Sequence, residues 1–192
     1  MNKQSPITTS AALISRILHP LTFVNVAAWL VNMSLYHDPL HALINPLILV
    51  GCLIPGIAYM RVSKRVNNGQ YNRTVAFSMI MIGFLTAILI YYGTGQPWVI
   101  IQNAVVSFVV IIGVMVINRL WWDISFHATI PMCCVALLIP VSTTATLVSA
   151  GCAMLVGLSR IPLKQHTPTQ VVAGWIVGFF GTLLLITLTT VA

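Results

Sequence analysis

Apolar residues in this chain form long uninterrupted runs separated by short polar breaks, not the alternation of lipid-facing and lumen-facing positions in a membrane barrel. A helix needs roughly 20 mostly apolar residues to cross a bilayer, and only helices and closed barrels satisfy their backbone there. From Thr74 to Asn118 no residue is charged, and Gly93-Thr94-Gly95-Gln96-Pro97 divides that stretch with a tight turn. The same pattern predicts spans near 20–36, 42–61, 74–93, 98–118, 124–140, 143–158 and 168–190. The fifth and sixth are short and divided only by Pro140-Val141-Ser142. The expected architecture is therefore an all-α bundle of about six to seven transmembrane helices. Residues 1–19 form an N-terminal interfacial segment in which Ser10 to Leu18 is predicted as a short helix. This segment does not read as a secretory signal, because Arg16 and His19-Pro20 interrupt it and no small-residue cleavage site follows.

Composition narrows the class. Of 192 residues, 58% are hydrophobic and 6% charged, whereas a soluble domain carries about 25% charged residues. Disordered chains are poor in the Leu, Ile, Val and Phe that dominate here. With no internal repeat and no linker, 1–192 reads as one membrane-embedded domain.

Nine Lys or Arg stand against two acids, Asp38 and Asp123, for a net charge of +7. With seven spans, Lys3, Arg16, Arg61, Lys64, Arg65, Arg73, Arg119, Arg160 and Lys164 all fall on one side. The opposite turns, 37–41, 94–97 and 141–142, carry no Lys or Arg. By the positive-inside rule the basic face is cytoplasmic. Asp123 is expected to pair with Arg119 at the interface. Membrane lipids are the expected partners, and no nucleic-acid partner is expected.

Cys52, Cys133, Cys134 and Cys152 lie in apolar spans without metal-ligand spacing and read as small hydrophobes. Gly174, Gly178 and Gly181 have the small-xxx-small spacing of close helix packing. His37 and His41 belong to a solvated turn near Asp38, and His19 reads as the end of the interfacial helix. His127 and His166 differ, because both fall on the basic face at the mouths of spans. Arg160 offers a planar fork of donors for phosphate oxygens. Six residues later His166 precedes Pro168, which suits the first turn of a helix whose free amides and dipole favour an anion. Ser125, two residues before His127, can donate its hydroxyl to the same kind of ligand. The 61–73 loop returns to this face as well. Cations, a serine and two histidines, with no carboxylate cluster, suit phosphoryl transfer by a histidine nucleophile with a second histidine as general acid.

These motifs resemble the type 2 phosphatidic acid phosphatase superfamily, in particular a branch of small bacterial members. Ser159, Arg160 and His166 look like its third signature, and Ser125 and His127 like its second, with Ile124 and Phe126 where Pro and Gly are usual. The resemblance runs from about residue 14 to 181, through Ile14-Ser15-Arg16-Ile17-Leu18-His19-Pro20 and Trp122-Asp123-Ile124-Ser125-Phe126-His127. It implies a phosphatidic-acid-phosphatase-like helix bundle in the bacterial inner membrane. It implies His166 as the nucleophile forming a phosphohistidine, His127 as the acid for the leaving group, and Arg160 and Ser125 as phosphate ligands. The family's first signature, Lys, six residues, then Arg-Pro, is degenerate here. Lys64 and Arg65 lie nine and eight residues before Arg73, and Thr74 replaces Pro, so Arg73 with Lys64 or Arg65 is the nearest match. Gln170 stands where the family most often has an Asp that orients the nucleophile, and is expected to accept the His166 ring N–H.

The implied activity is metal-independent and cofactor-free hydrolysis of a lipid-linked phosphate or diphosphate, of prenyl diphosphate or phosphatidate type. The alternative is a catalytically inactive relative that binds or transports lipid phosphates.

Overall fold

The computed structural model describes residues 6–66 and 70–191; Lys3 and part of the 62–73 loop lie outside these. The described residues contain eight helices and no strand. They are α1 (Pro6–Ile17), α2 (Pro20–Tyr36), α3 (Pro39–Val66), α4 (Arg73–Gly93), α5 (Trp98–Leu120), α6 (Phe126–Leu138), α7 (Thr143–Ser159) and α8 (Pro168–Val191). Four helices, α3, α4, α5 and α8, are long and apolar enough to cross a membrane, and α1 with α2, bent by 40° at their junction, can make a fifth span. Helices α6 and α7 are shorter and equally apolar. The N-terminal helix starts earlier than Ser10, and it packs against α7 with Ala11 and Ser15 buried. It is thus part of the bundle's surface layer.

Polar and imino residues punctuate the helices. Pro20 sits in the first turn of α2, where its missing N–H costs nothing. Asn72 Oδ1 accepts the Val75 N–H at 3.3 Å to start α4, and Ser142 Oγ accepts the Ala145 N–H at 3.3 Å to start α7. The turn between α4 and α5 uses Gly95 at φ 65°, a left-handed conformation that glycine adopts without strain.

Pro46, inside α3, cannot donate to the Ala42 carbonyl. Asn32 Nδ2, from α2, supplies that bond at 3.2 Å. Asn45 Nδ2 and Tyr36 Oη then both donate to Gln96 Oε1, at 2.9 and 2.6 Å, and Tyr91 Oη donates to the Asn45 carbonyl at 2.6 Å. One polar network therefore ties α2, α3, α4 and the α4–α5 turn at the end of the bundle opposite the basic residues.

Helix α6 is the buried centre, with ten of its thirteen residues enclosed, and it touches α2, α5, α7 and α8. One apolar cluster joins α2, α6 and α7 through Phe23, Val31, Val135, Leu138 and Val156. A second joins α3, α4 and α5 through Leu49, Leu53, Phe84, Ile101 and Ile111. Between them lies a cavity of about 80 Å³ lined by residues including Ala27, Val114, Phe126 and Cys133.

Helices α6 and α8 approach at backbone distance. A Cβ at residue 174 would lie 2.9 Å from the Ser125 carbonyl oxygen, and one at 178 would overlap the Thr129 carbonyl. Gly181, the third member of the expected small-residue row, has open space beside it and takes no part. Gly178→Ala should therefore cost about 1–3 kcal/mol, since backbone must move to admit the methyl. Gly181→Ala should be neutral or stabilising by up to about 1 kcal/mol through helix propensity. Thermal unfolding of the two variants in the same lipid nanodiscs checks the contrast; equal melting temperatures would contradict the packing described.

Candidate active site

Four chain segments meet at the basic end: the α1–α2 junction, the end of α3, the start of α6 and the α7–α8 connection. The start of α6 is held by Asn118 on α5, which accepts the Ile124 N–H at 2.7 Å and donates to the Ile124 carbonyl at 3.0 Å. Ser125 is the N-cap of α6, and its carbonyl accepts from the Ala128 and Thr129 N–H groups, each at 3.0 Å. An N-cap serine ordinarily spends its hydroxyl on the helix amides. Here the hydroxyl makes no such bond, and Ser125 Oγ is fully buried with no partner. Within α6, Pro131 also lacks the N–H that would meet the His127 carbonyl, leaving that oxygen without its helical bond.

Arg160 caps the end of α7 and is 6% exposed. It donates from Nη1 to Gln165 Oε1, and the Gln165 N–H returns to the Arg160 carbonyl at 3.1 Å, closing the connection on itself. Its Nε is buried without a partner, and no carboxylate pairs with it among the described residues. Burial pushes the guanidinium down to about 10, so it remains cationic at neutral pH.

His127 carries its imidazole into this space, where Arg160, His19 and His166 are all near enough to act on it electrostatically. The His19 and His127 rings meet edge to face with centroids 5.6 Å apart. The expected convergence of the Ser125–His127 and Arg160–His166 elements is thus present in the geometry. His19, read from sequence as a helix-end residue, also belongs to the cluster. It does cap α2, with Nδ1 accepting the Leu21 N–H at 3.2 Å, and its ring faces His127 at the same time.

One expectation is corrected. Gln170 does not orient His166: its Oε1 accepts the Thr167 N–H at 2.8 Å, while its own N–H donates to Thr167 Oγ1 at 3.3 Å. This is a capping box around Pro168, so a Gln three residues into the helix reaches back to the cap and not outward to the imidazole. The Thr-x-x-Gln spacing before an apolar run was the sequence signal for it. His166 Nδ1 is buried with no partner. Lys64 and Arg65, in the last turn of α3, and Arg73, the first residue of α4, are all exposed, and Lys64 Nζ lies 5.1 Å from the Tyr71 ring centroid. Arg61 is near enough to His19 to act on it electrostatically. Asp123 and Arg119 form no ion pair among the described residues.

Among the described residues no group of three or more His, Cys, Asp or Glu side chains could hold a metal ion. No protein-family model matches the chain, and no match is found among curated proteins or solved structures.

The capping box makes a direct prediction. Gln170→Ala should lower unfolding stability by about 1 kcal/mol, whereas Gln170→Glu, which keeps the cap acceptor, should lose less. Denaturant or thermal unfolding at neutral pH compares them; equal losses would sink the capping role.

Proposed function

We propose that this protein is a membrane-embedded phosphatase of type 2 phosphatidic acid phosphatase character, acting on a lipid-linked phosphate or diphosphate. The observation that carries this reading is Arg160, a cation almost wholly buried with a free Nε and no carboxylate partner, beside the unspent hydroxyl of Ser125 and the imidazoles of His127 and His166. A buried charge is normally paired, and an anion bound here would pair it.

In the proposed reaction Arg160 and Ser125 hold the phosphoryl oxygens. Nε2 of His166, the nitrogen left open when Nδ1 is buried, attacks phosphorus as the bond to the leaving oxygen breaks. His127 gives that oxygen its proton, then takes one from the water that hydrolyses the phosphohistidine and releases phosphate. The apolar helices would hold the tail. In this reading α6 and α7 cross the membrane in series, giving seven spans, and the basic end faces the cytoplasm.

One observation favours a second reading, a non-catalytic binder or transporter of lipid phosphates. The Gln170 acceptor is used by Thr167, so among the described residues no side chain hydrogen-bonds His166 Nδ1.

Phosphate release from farnesyl diphosphate and from phosphatidate, in chelator, tests the enzyme directly. His166→Ala should abolish release and His127→Ala should reduce it about 10²–10⁴-fold. Labelled phosphate should be trapped covalently on His166 in the wild type; tight substrate binding with neither turnover nor adduct selects the binder. Orientation is tested separately with Asp123→Cys, at an exposed position on the basic end. In intact cells it should resist an impermeant maleimide and react after permeabilisation, whereas labelling before permeabilisation would place the site outside.

A further inference from the structure

The connection between α7 and α8 carries Arg160 and His166, and the chain closes on itself between them. Arg160 is the C-cap of α7, and its carbonyl accepts the Gln165 N–H at 3.1 Å. The Lys164 N–H donates to the Ile161 carbonyl at 2.9 Å, and Lys164 itself stands at φ 54°. That left-handed conformation, which residues with a Cβ rarely adopt, turns the chain back. Gln165 thereby returns to the residue five positions before it, and its side-chain Oε1 accepts from Arg160 Nη1. One residue thus holds Arg160 by its carbonyl and by its guanidinium. His166 follows directly, so the same closure ties its backbone to that arginine.

Which guanidinium hydrogens are taken decides what is left for a ligand. Nη1 lies on the Cδ side of the group. The Nε hydrogen and an Nη2 hydrogen point the same way and make a side-on fork that matches two oxygens of an oxyanion. Gln165 takes Nη1. Arg160 Nε is buried with no partner, and Nη2 makes no hydrogen bond among the described residues. A glutamine that only filled the site until an anion displaced it would sit on the fork, and Gln165 does not. An arginine held at one terminal nitrogen has already lost much of its rotamer freedom, so an arriving anion has less disorder to remove.

We propose that Gln165 is a positioning residue for anion binding: it holds the Nη1 edge of Arg160 so that the Nε–Nη2 fork stays open for two oxygens of a phosphoryl group. This rests on the phosphate-site reading given above. Gln165 does not touch the anion. It acts through Arg160.

The full-length protein in lipid nanodiscs is titrated at constant pH with inorganic phosphate and with bromide, a single-atom anion that responds to charge but cannot accept both bonds of a fork. Gln165 is exposed, so its side chain can be replaced without disturbing the core. Gln165→Leu removes the acceptor, and Gln165→Asn remains polar but is one methylene too short to reach. Each should weaken phosphate binding about three- to ten-fold, the worth of one hydrogen bond, while bromide affinity changes by less than about two-fold. Tighter phosphate binding would make Gln165 a competitor, equal losses for both anions would make it a structural contact, and no change would leave it without a role; each overturns the proposal. Arg160→Ala tests the site beneath it and should weaken phosphate binding roughly 10–100-fold. Phosphate binding that needs Arg160 but ignores Gln165 keeps the phosphate site and removes only the positioning role. A wild type that binds no phosphate removes both.

Discussion

Helix α8 lies against α6 at backbone distance, and that approach exists only because residues 174 and 178 have no side chain. Inside a bilayer, burying apolar surface between helices gives little advantage over leaving it in lipid, so close van der Waals packing carries the association. The contact does more than hold two helices together. It sets the start of α6, with Ser125 and His127, beside the start of α8, with His166 one residue before its cap. The Ser125 N–H reaches the Gln170 carbonyl at 3.4 Å across this same junction. A change in the crossing of α6 and α8 would therefore move the two histidines relative to each other before it disturbed either helix.

The second constraint is electrostatic. The basic end gathers a buried guanidinium, an exposed one on α3 and three imidazoles, with no carboxylate paired to any of them among the described residues. Burying a guanidinium without a carboxylate partner is unfavourable. Its neighbours compensate only partly: Gln165 takes one Nη1 hydrogen, and the remaining Nε has no acceptor. The opposite end of the bundle makes the contrast plain. There Asn32, Asn45, Tyr36, Tyr91 and Gln96 form a connected network that repairs the break caused by Pro46. Only Asn45 Oδ1 in that network is left without a partner. The far end is thus built mainly to satisfy itself, while the basic end is built with groups left over.

Much of this was legible in the sequence because membrane helices announce themselves by length and apolarity. The predicted boundaries of 20–36 and 74–93 meet α2 and α4 to within a residue, since Pro20, Asn72 and Gly93 act locally. The convergence of Ser125, His127, Arg160 and His166 was also legible, because an even number of helix reversals must return a chain to the same end. Which of those helices cross a membrane was not, since α6 and α7 have the apolarity of a span without its length. The span of α3 was read short for a related reason: its basic tail, Arg61 to Arg65, is polar, yet the helix runs on to Val66. Gln170 was misread because a local capping bond competes with a longer-range one for the same oxygen. His19 was missed because one nitrogen caps a helix, which explains the residue well enough to hide that its ring also meets His127.

The brevity of α6 is accommodated inside the bundle, and at one end only. Its thirteen residues extend about 20 Å at 1.5 Å per residue, against a hydrocarbon thickness of about 30 Å. A lone helix of that length would leave polar ends in lipid, but α6 is enclosed by α2, α5, α7 and α8, so its ends are met by protein. Its first turn is level with the last turn of α5 and the first turn of α8, because Asn118 bonds both backbone groups of Ile124 and the Ser125 N–H reaches the Gln170 carbonyl. Ser125 and His127 therefore sit at the basic end itself and not part-way down the bundle, and the missing length of α6 falls towards its other end, at the turn before Ser142.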